Sequence, residues 1–425
     1  MYIVKNIFRT LQYRNFRLFF TGQSISLVGT WMQTIAMGWL VYRLTGSAFL
    51  LGLVGFSNQI PSFLLSPFAG VMVDRWDCRR ILVFTQTLSM IQAFVLAALT
   101  LTGAIAVWHI IALGAFLGCV TSLDIPARQS FIVEMVEKKE NLGNAIALNS
   151  FIFNAARLIG PAIAGILIAL TGEGLCFLIN GISFLAVIVS LAIMNIKVIK
   201  KEDKHSHILK DLHEGFVYAF SFMPIRAIIL FLAVVSLMGM SYVILMPVFA
   251  KDILHGGPHT LGFLMASGGI GAIVATAYLA SRKNILGFGR IIPVSSFIFG
   301  LCLIFFSISH VLLLSIILMA LAGFGLMSYM AASNTILQTI VDDDKRGRVM
   351  SFYAMAFMGM APLGSLMSGI LAAKVGVTVT LAIGGASCII AAIIFATKLA
   401  DLKKSIHPVY KKMGIITEPP AVTGQ

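Results

Sequence analysis

Residues 70–80 read Gly70-Val71-Met72-Val73-Asp74-Arg75-Trp76-Asp77-Cys78-Arg79-Arg80. This charge-dense stretch lies between two apolar runs, residues 48–73 and 81–102. Each run has the roughly 20 residues that a helix needs to cross the hydrocarbon of a bilayer. Basic residues between two such spans mark a loop facing the cytoplasm. The segment therefore reads as a helical hairpin through a membrane with its turn inside. Gly70 would permit close helix approach. Asp74 could face a helix N-terminus, where negative charge is stabilised, and Arg75, Arg79 and Arg80 could clip neighbouring helices. Such a cluster would lock an outward-open state and break in an inward-open one. A plain positive-inside loop is the alternative reading.

The rest of the chain fits the hairpin. Of its 425 residues, 59% are hydrophobic and 11% charged, whereas a soluble domain has roughly 25% charged. A soluble chain, a disordered chain, a collagen and a disulfide scaffold are all excluded. Twelve spans can be marked, the first over 16–42, the fifth over 143–170 and the last over 377–398. The net charge of +14 reads as loop charge facing anionic lipid rather than as a nucleic-acid site. The five scattered cysteines form no C-x-x-C pair, so no disulfide framework or metal site is expected. Each reads as a packing residue.

With the N-terminus inside, Lys and Arg concentrate on the inner segments, and the outer loops hold only Arg43, Lys251 and Lys374. The asymmetry requires an even number of spans with both termini cytoplasmic. The expected organisation is a six-helix bundle over 1–196, a linker over 197–224, a second six-helix bundle over 225–400 and a tail over 401–425. In the linker, Ile208, Leu209, Leu212, Phe216, Val217 and Phe220 are spaced as one face of an amphipathic helix at the inner surface. His205, His207 and His213 lack an acid or cysteine to complete a metal set and read as solvated.

The two halves repeat. A shift of 204 residues superposes 128–167 on 332–371 without a gap, and Gly143, Phe153, Gly160 and Gly165 recur as Gly347, Phe357, Gly364 and Gly369. Duplicated six-helix halves joined by a basic loop suit an alternating-access carrier, with the substrate between the halves.

The 70–80 stretch resembles the G-x-x-x-D-R-x-G-R-R signature of the major facilitator superfamily. Asp77 stands in place of its second glycine, and Cys78 is an extra residue before the paired arginines. In the second half, Tyr278-Leu-Ala-Ser-Arg282-Lys283 lacks the aspartate, so that lock is degenerate. Ala156-Arg157-Leu158-Ile159-Gly160-Pro161-Ala162-Ile163-Ala164-Gly165 is similar to the G-P motif of the exporter branch. Gly160, Pro161 and Gly165 would then pack and bend the fifth span, and packing alone is the alternative. With Leu123-Asp124-Ile125-Pro126-Ala127-Arg128, Gly29-Thr30-Trp31-Met32-Gln33 and Trp39-Leu40-Val41-Tyr42-Arg43, these stretches resemble the enterobactin-exporter-like, transmembrane secretion effector group. The resemblance covers nearly all the chain. It implies an all-α fold of twelve transmembrane helices as two pseudo-symmetric bundles. It also implies a proton-driven exporter of siderophores or drugs in a bacterial inner membrane.

Ionisable residues at membrane depth are candidates for function. Arg157, in the fifth span, could bind a carboxylate or catecholate-like anion or respond to a proton on a nearby acid. Alternatively it could brace neighbouring helices through carbonyls and Asn154. Asp124 and Arg128, one turn apart, could gate or form a plain interfacial pair. All seventeen acids lie in loops, tails or span ends, which leaves Asp124, Asp74 and Asp252 as possible proton carriers. Trp31, Gln33, Tyr242, Tyr329, Asn334 and Tyr353 are candidates for an uncharged pocket, each also readable as packing. No cofactor is expected, and the proton gradient would supply energy. The partners would be a small molecule and the bilayer, without nucleic acid, and the chain would act as a monomer. A lipid-moving carrier with Arg157 at a headgroup site is the second reading. An enzyme is disfavoured, because His109, His255, His259 and His310 all sit at outer span ends, and the absence of a Walker loop argues against a built-in ATP motor.

Overall fold

The structure is a computed structural model that describes residues 9–136, 139–195, 208–240, 242–282, 284–342 and 345–413. Its described residues are almost entirely helical. The first bundle holds α1 (Arg14–Thr45), α2 (Ala48–Arg75), α3 (Cys78–Leu101), α4 (Val107–Met135), α5 (Leu142–Thr171) and α6 (Glu173–Ile193). A shorter helix, α7 (Ile208–Ser221), precedes the second bundle. That bundle opens with α8 (Met223–Met238), continued by Tyr242–Val248 and a π-turn at Phe249–Ile253. It goes on with α9 (Pro258–Ala280), α10 (Phe288–Ser307) and α11 (Leu312–Ile340). Helix α12 starts as Arg346–Ala354, passes a π-turn at Met355–Gly359 and ends as Met360–Val375; α13 (Val377–Thr397) completes the bundle. Helix α14 (Leu399–Lys412) follows.

Eleven of these helices are long and apolar enough to cross a membrane. The twelfth, α1, is as long but carries Gln23, Ser26 and Gln33, all buried. Polar side chains inside a membrane bundle bind helices together when they find partners. Here Gln33 donates to Gln92 Oε1 at 3.0 Å and accepts from Asn180 Nδ2 at 2.9 Å, and Gln92 donates to the Leu113 carbonyl at 3.3 Å. One amide network thus ties α1, α3, α4 and α6.

The duplication is visible in the packing. The pairs α1·α6, α2·α4, α3·α6, α3·α4 and α1·α5 recur as α8·α13, α9·α11, α10·α13, α10·α11 and α8·α12. Gly172 and Gly376, 204 residues apart, both turn the chain between the last two helices of a bundle with φ of 82° and 87°. That left-handed conformation costs glycine nothing and other residues strain.

Both bundles place the start of their first helix on the same face, together with the α2–α3 turn, α7 and α14; this is the terminal face. On it, α7 packs on the start of α12 through an Arg348–Glu214 ion pair of 2.7 Å and the rings of Phe216 and Phe352. Lys345 lies 4.5 Å from the Tyr218 ring. Helix α7 stands where the amphipathic linker helix is expected, and the side chains of Ile208, Leu209 and Leu212 lie outside those described. His205 and His207 lie outside the described residues, as does the side chain of His213. The start of the expected tail is helical, and Leu402, Ile406, Val409 and Tyr410 of α14 pack against the second bundle.

Candidate functional site

The bundles meet along two seams, α5 on α9 and α2 on α12. A Cβ built on Gly165 would lie 3.0 Å from the Cα of Gly262 and 2.8 Å from the Pro258 carbonyl; one on Gly262 would lie 2.6 Å from the Pro161 carbonyl. In the other seam, a Cβ on Gly52 would lie 2.7 Å from the Cα of Gly369. Gly165 and Gly369 are the repeat-related pair, so the seams are copies. Among the described residues, most close glycine contacts that cross between bundles fall toward the face opposite the terminal one, and Gly359 meets the Phe63 ring near mid-helix. Gly160, by contrast, packs within its own bundle, against Trp31 and the Val28 carbonyl of α1. Pro161 is buried in the α5–α9 contact.

A polar latch closes the same end. The Tyr42 hydroxyl of α1 donates to the Asp252 carboxylate in the π-turn after α8, and Lys251 lies 5.4 Å from the Tyr42 ring. Beside it, Arg43 grips Glu173 of α6 with two bonds of 2.7 and 3.0 Å. Paired planar geometry of this kind is stronger than a single contact.

At the terminal face the α2–α3 turn is held within the first bundle. Asp77 caps α3, accepting from the backbone of Arg79 at 2.8 Å and Arg80 at 3.4 Å. The residue that departs from the family pattern is thus a helix cap, and such a cap is worth about 1 kcal/mol. Arg79 clips the Ala192 carbonyl at the end of α6 at 3.0 Å. Arg80 reaches back only loosely to Asp77, at 3.8 Å, and Arg75 is exposed. A Cβ on Gly70 would meet nothing within 4 Å; the close approach expected there is absent because the glycine contacts between the bundles lie toward the other face. The Asp74 side chain lies outside those described.

Asp124 of α4 is buried, accepts from Thr85 and Gln86 of α3 at 2.8 Å each, and faces Arg128 at 3.6 Å. The spacing reading of an i,i+4 pair agrees with this geometry, and the carboxylate also joins two helices.

The central candidates separate. Arg157 and Trp31 come together: the guanidinium lies 5.8 Å from the Trp31 ring, which packs edge-on against Phe153 at 5.9 Å. Arg157 makes no hydrogen bond or ion pair with any described residue. Asn154 bonds only its own helix, at the Ser150 carbonyl. Tyr242 and Tyr329 are instead inside the second bundle, against Phe299 and Phe231, with centroids 5.9 Å apart in each case. Tyr353 donates to the Met330 carbonyl at 3.1 Å, and Asn334 accepts from Gln338 at 3.1 Å. Gln33 belongs to the amide network described above. Sequence reasoning missed the seam glycines Gly52, Gly262 and Gly269, and the Tyr42–Asp252 latch. Small residues along α9 were the available signal, but their partner helix was not encoded locally. No metal-holding group of His, Cys, Asp or Glu occurs among the described residues.

Two duplicated bundles meeting along paired seams, with a cation at mid-helix depth in the first, define a membrane carrier. The chain belongs to the transmembrane secretion effector family, whose profile matches residues 6–412, within the major facilitator transporters. It is 30% identical to the staphyloferrin A transporter of Staphylococcus aureus strain NCTC 8325, over 89% of this chain and 95% of that one. It is 21% identical to macrolide efflux protein A of Streptococcus pyogenes, over 90% and 96%. Among solved structures, a bacterial homologue of the human lysosomal transporter Spinster superposes with a TM-score of 0.67 at 14% identity, covering 96% of this chain and 99% of that one. That likeness concerns the fold alone. The protein is a multi-pass membrane transporter of small molecules and not an enzyme.

Proposed function

We propose that the chain exports small acidic molecules, of the siderophore class, from a bacterial cytoplasm by alternating access driven by a proton gradient. Arg157 carries the reading. A cation at mid-helix depth costs several kcal/mol unless something compensates it, and its one partner is the face of Trp31. A cation–π contact supplies only about 0.5–2 kcal/mol. A carboxylate or catecholate cargo would complete the site. Membership of the secretion effector family and similarity to a staphyloferrin A transporter and a macrolide efflux protein support small-molecule secretion.

The Lys and Arg asymmetry supports a cytoplasmic terminal face in the inner membrane. On that orientation the shut seams are the outer ones, and the loose Arg75 and Arg80 fit an inner lock that has released. Asp252 is bonded to Tyr42 while the seam is shut, and that bond would break when it opens.

The direct test is binding of a carboxylate siderophore and of a neutral macrolide to the unaltered chain, Arg157→Ala and Arg157→Lys. The reading expects loss of the siderophore alone in Arg157→Ala and partial retention in Arg157→Lys. Equal siderophore binding by all three would overturn it.

A further inference from the structure

Helices α2 and α3 are joined by two residues, yet they make at most grazing contact along their lengths. The wedge between them at the terminal face is a cavity of about 620 Å³, walled by Met72 of α2, Trp76 of the turn, Ile81 and Phe84 of α3, and Leu123 of α4 behind. Asp77 and Arg80 stand at its mouth. A second hollow of about 550 Å³ runs on the other side of Arg80 and Phe84, bordered by Arg79, Val83 and Thr87. Both hollows share Asp77, Arg80 and Phe84, so these residues form a ridge between two troughs. Phe84 and Trp76 are exposed, and helix α3 packs on α4 and α6, which leaves the ridge facing the bilayer.

We propose that this ridge is a binding site for one anionic phospholipid of the leaflet at the terminal face. Two troughs straddling one ridge match a two-chain lipid, with one acyl chain along Met72, Ile81 and Leu123 and the other along Val83 and Thr87. The phosphate sits on Arg80, whose side chain is 88% exposed and bound only at 3.8 Å to Asp77. Arg79 adds a second positive charge beside it. The Asp77 carboxylate, which caps α3 through Oδ1 and faces Arg80 through Oδ2, offsets one of these two positive charges, and the N-terminus of α3 adds a favourable field for an anion. The cavity volume lies within the roughly 300–1,000 Å³ typical of small-molecule sites. Apolar walls with a cationic mouth suit a phospholipid with net negative charge. The ridge lies on the lipid side of the first bundle and is separate from the Arg157 site, so it does not depend on that assignment.

Trp76 at the mouth provides the readout. The full chain is reconstituted in phosphatidylcholine vesicles containing a minor fraction of lipid brominated on its chains, either phosphatidylglycerol or phosphatidylcholine. The Trp76 signal is the fluorescence lost in Trp76→Phe. Each basic residue near a surface contributes about 1 kcal/mol toward anionic lipid, so brominated phosphatidylglycerol should show about a fivefold preference over phosphatidylcholine at Trp76. Arg80→Gln, a change at an exposed side chain, should remove most of that preference, and Arg80→Lys should keep it. Leu123→Phe, which fills the back of the wedge, should lower quenching by both lipids. Equal quenching of Trp76 by the two lipids in the unaltered chain would overturn the proposal. So would a preference that survives Arg80→Gln.

Discussion

Gly165 and Gly262 meet across the two bundles so closely that a Cβ on the first would lie 3.0 Å from the Cα of the second. Gly369 and Gly52 repeat the arrangement in the other seam. Helices in lipid gain little from apolar burial, so close backbone approach at small residues does much of the binding. A contact of this kind is favourable when shut and absent when open, which makes it a two-position element.

Enlarging the seam should therefore shift the conformational balance. Overpacking a tight contact costs about 1–3 kcal/mol, so Gly165→Leu should disfavour the shut seam about 5- to 150-fold. Spin labels at the exposed Thr171 and Lys374 would report this as a longer distance between bundles. An unchanged distance distribution would show that the seam does not set the state.

The latch should matter less. Tyr42→Phe removes one hydrogen bond to Asp252, a loss of about 0.5–1.5 kcal/mol. The same label pair should show a smaller opening than in Gly165→Leu, about 2- to 10-fold in population. An opening as large as that of Gly165→Leu would mean that Tyr42 supports more than the latch.

Asp124 is predicted to be structural as well as charged. Asp124→Ala leaves Thr85 and Gln86 without their buried acceptor, at a cost of about 1–3 kcal/mol. Asp124→Asn keeps an acceptor and should cost less. Thermal unfolding in detergent would rank the two; a Tm for the alanine variant equal to that of the unaltered chain would remove the structural role.

The number of helices and the duplication were legible because apolar runs of membrane length are nearly independent of tertiary context. Rotation of each helix was not. Helices buried on most sides carry almost no amphipathic signal, so Tyr242 and Tyr329 looked like pocket residues on composition while their rings pack inside the second bundle. Gln33 misled for a related reason: its amide is satisfied by Gln92 and Asn180, residues 59 and 147 positions away. Asp77 looked like an interruption of a family pattern, and its value as a cap emerges only once α3 is seen to begin at Cys78. Arg157 stood out in both readings because a charge at that depth is conspicuous in any context.

Transport by purified chain in proteoliposomes tests the central claim most directly. A pH gradient would be imposed and then collapsed, with a carboxylate siderophore such as staphyloferrin A and a neutral macrolide as cargo. The account predicts uphill movement of the siderophore that stops when the gradient is collapsed and is lost in Arg157→Ala. Movement that persists without the gradient, or that is unaffected by Arg157→Ala, would contradict it.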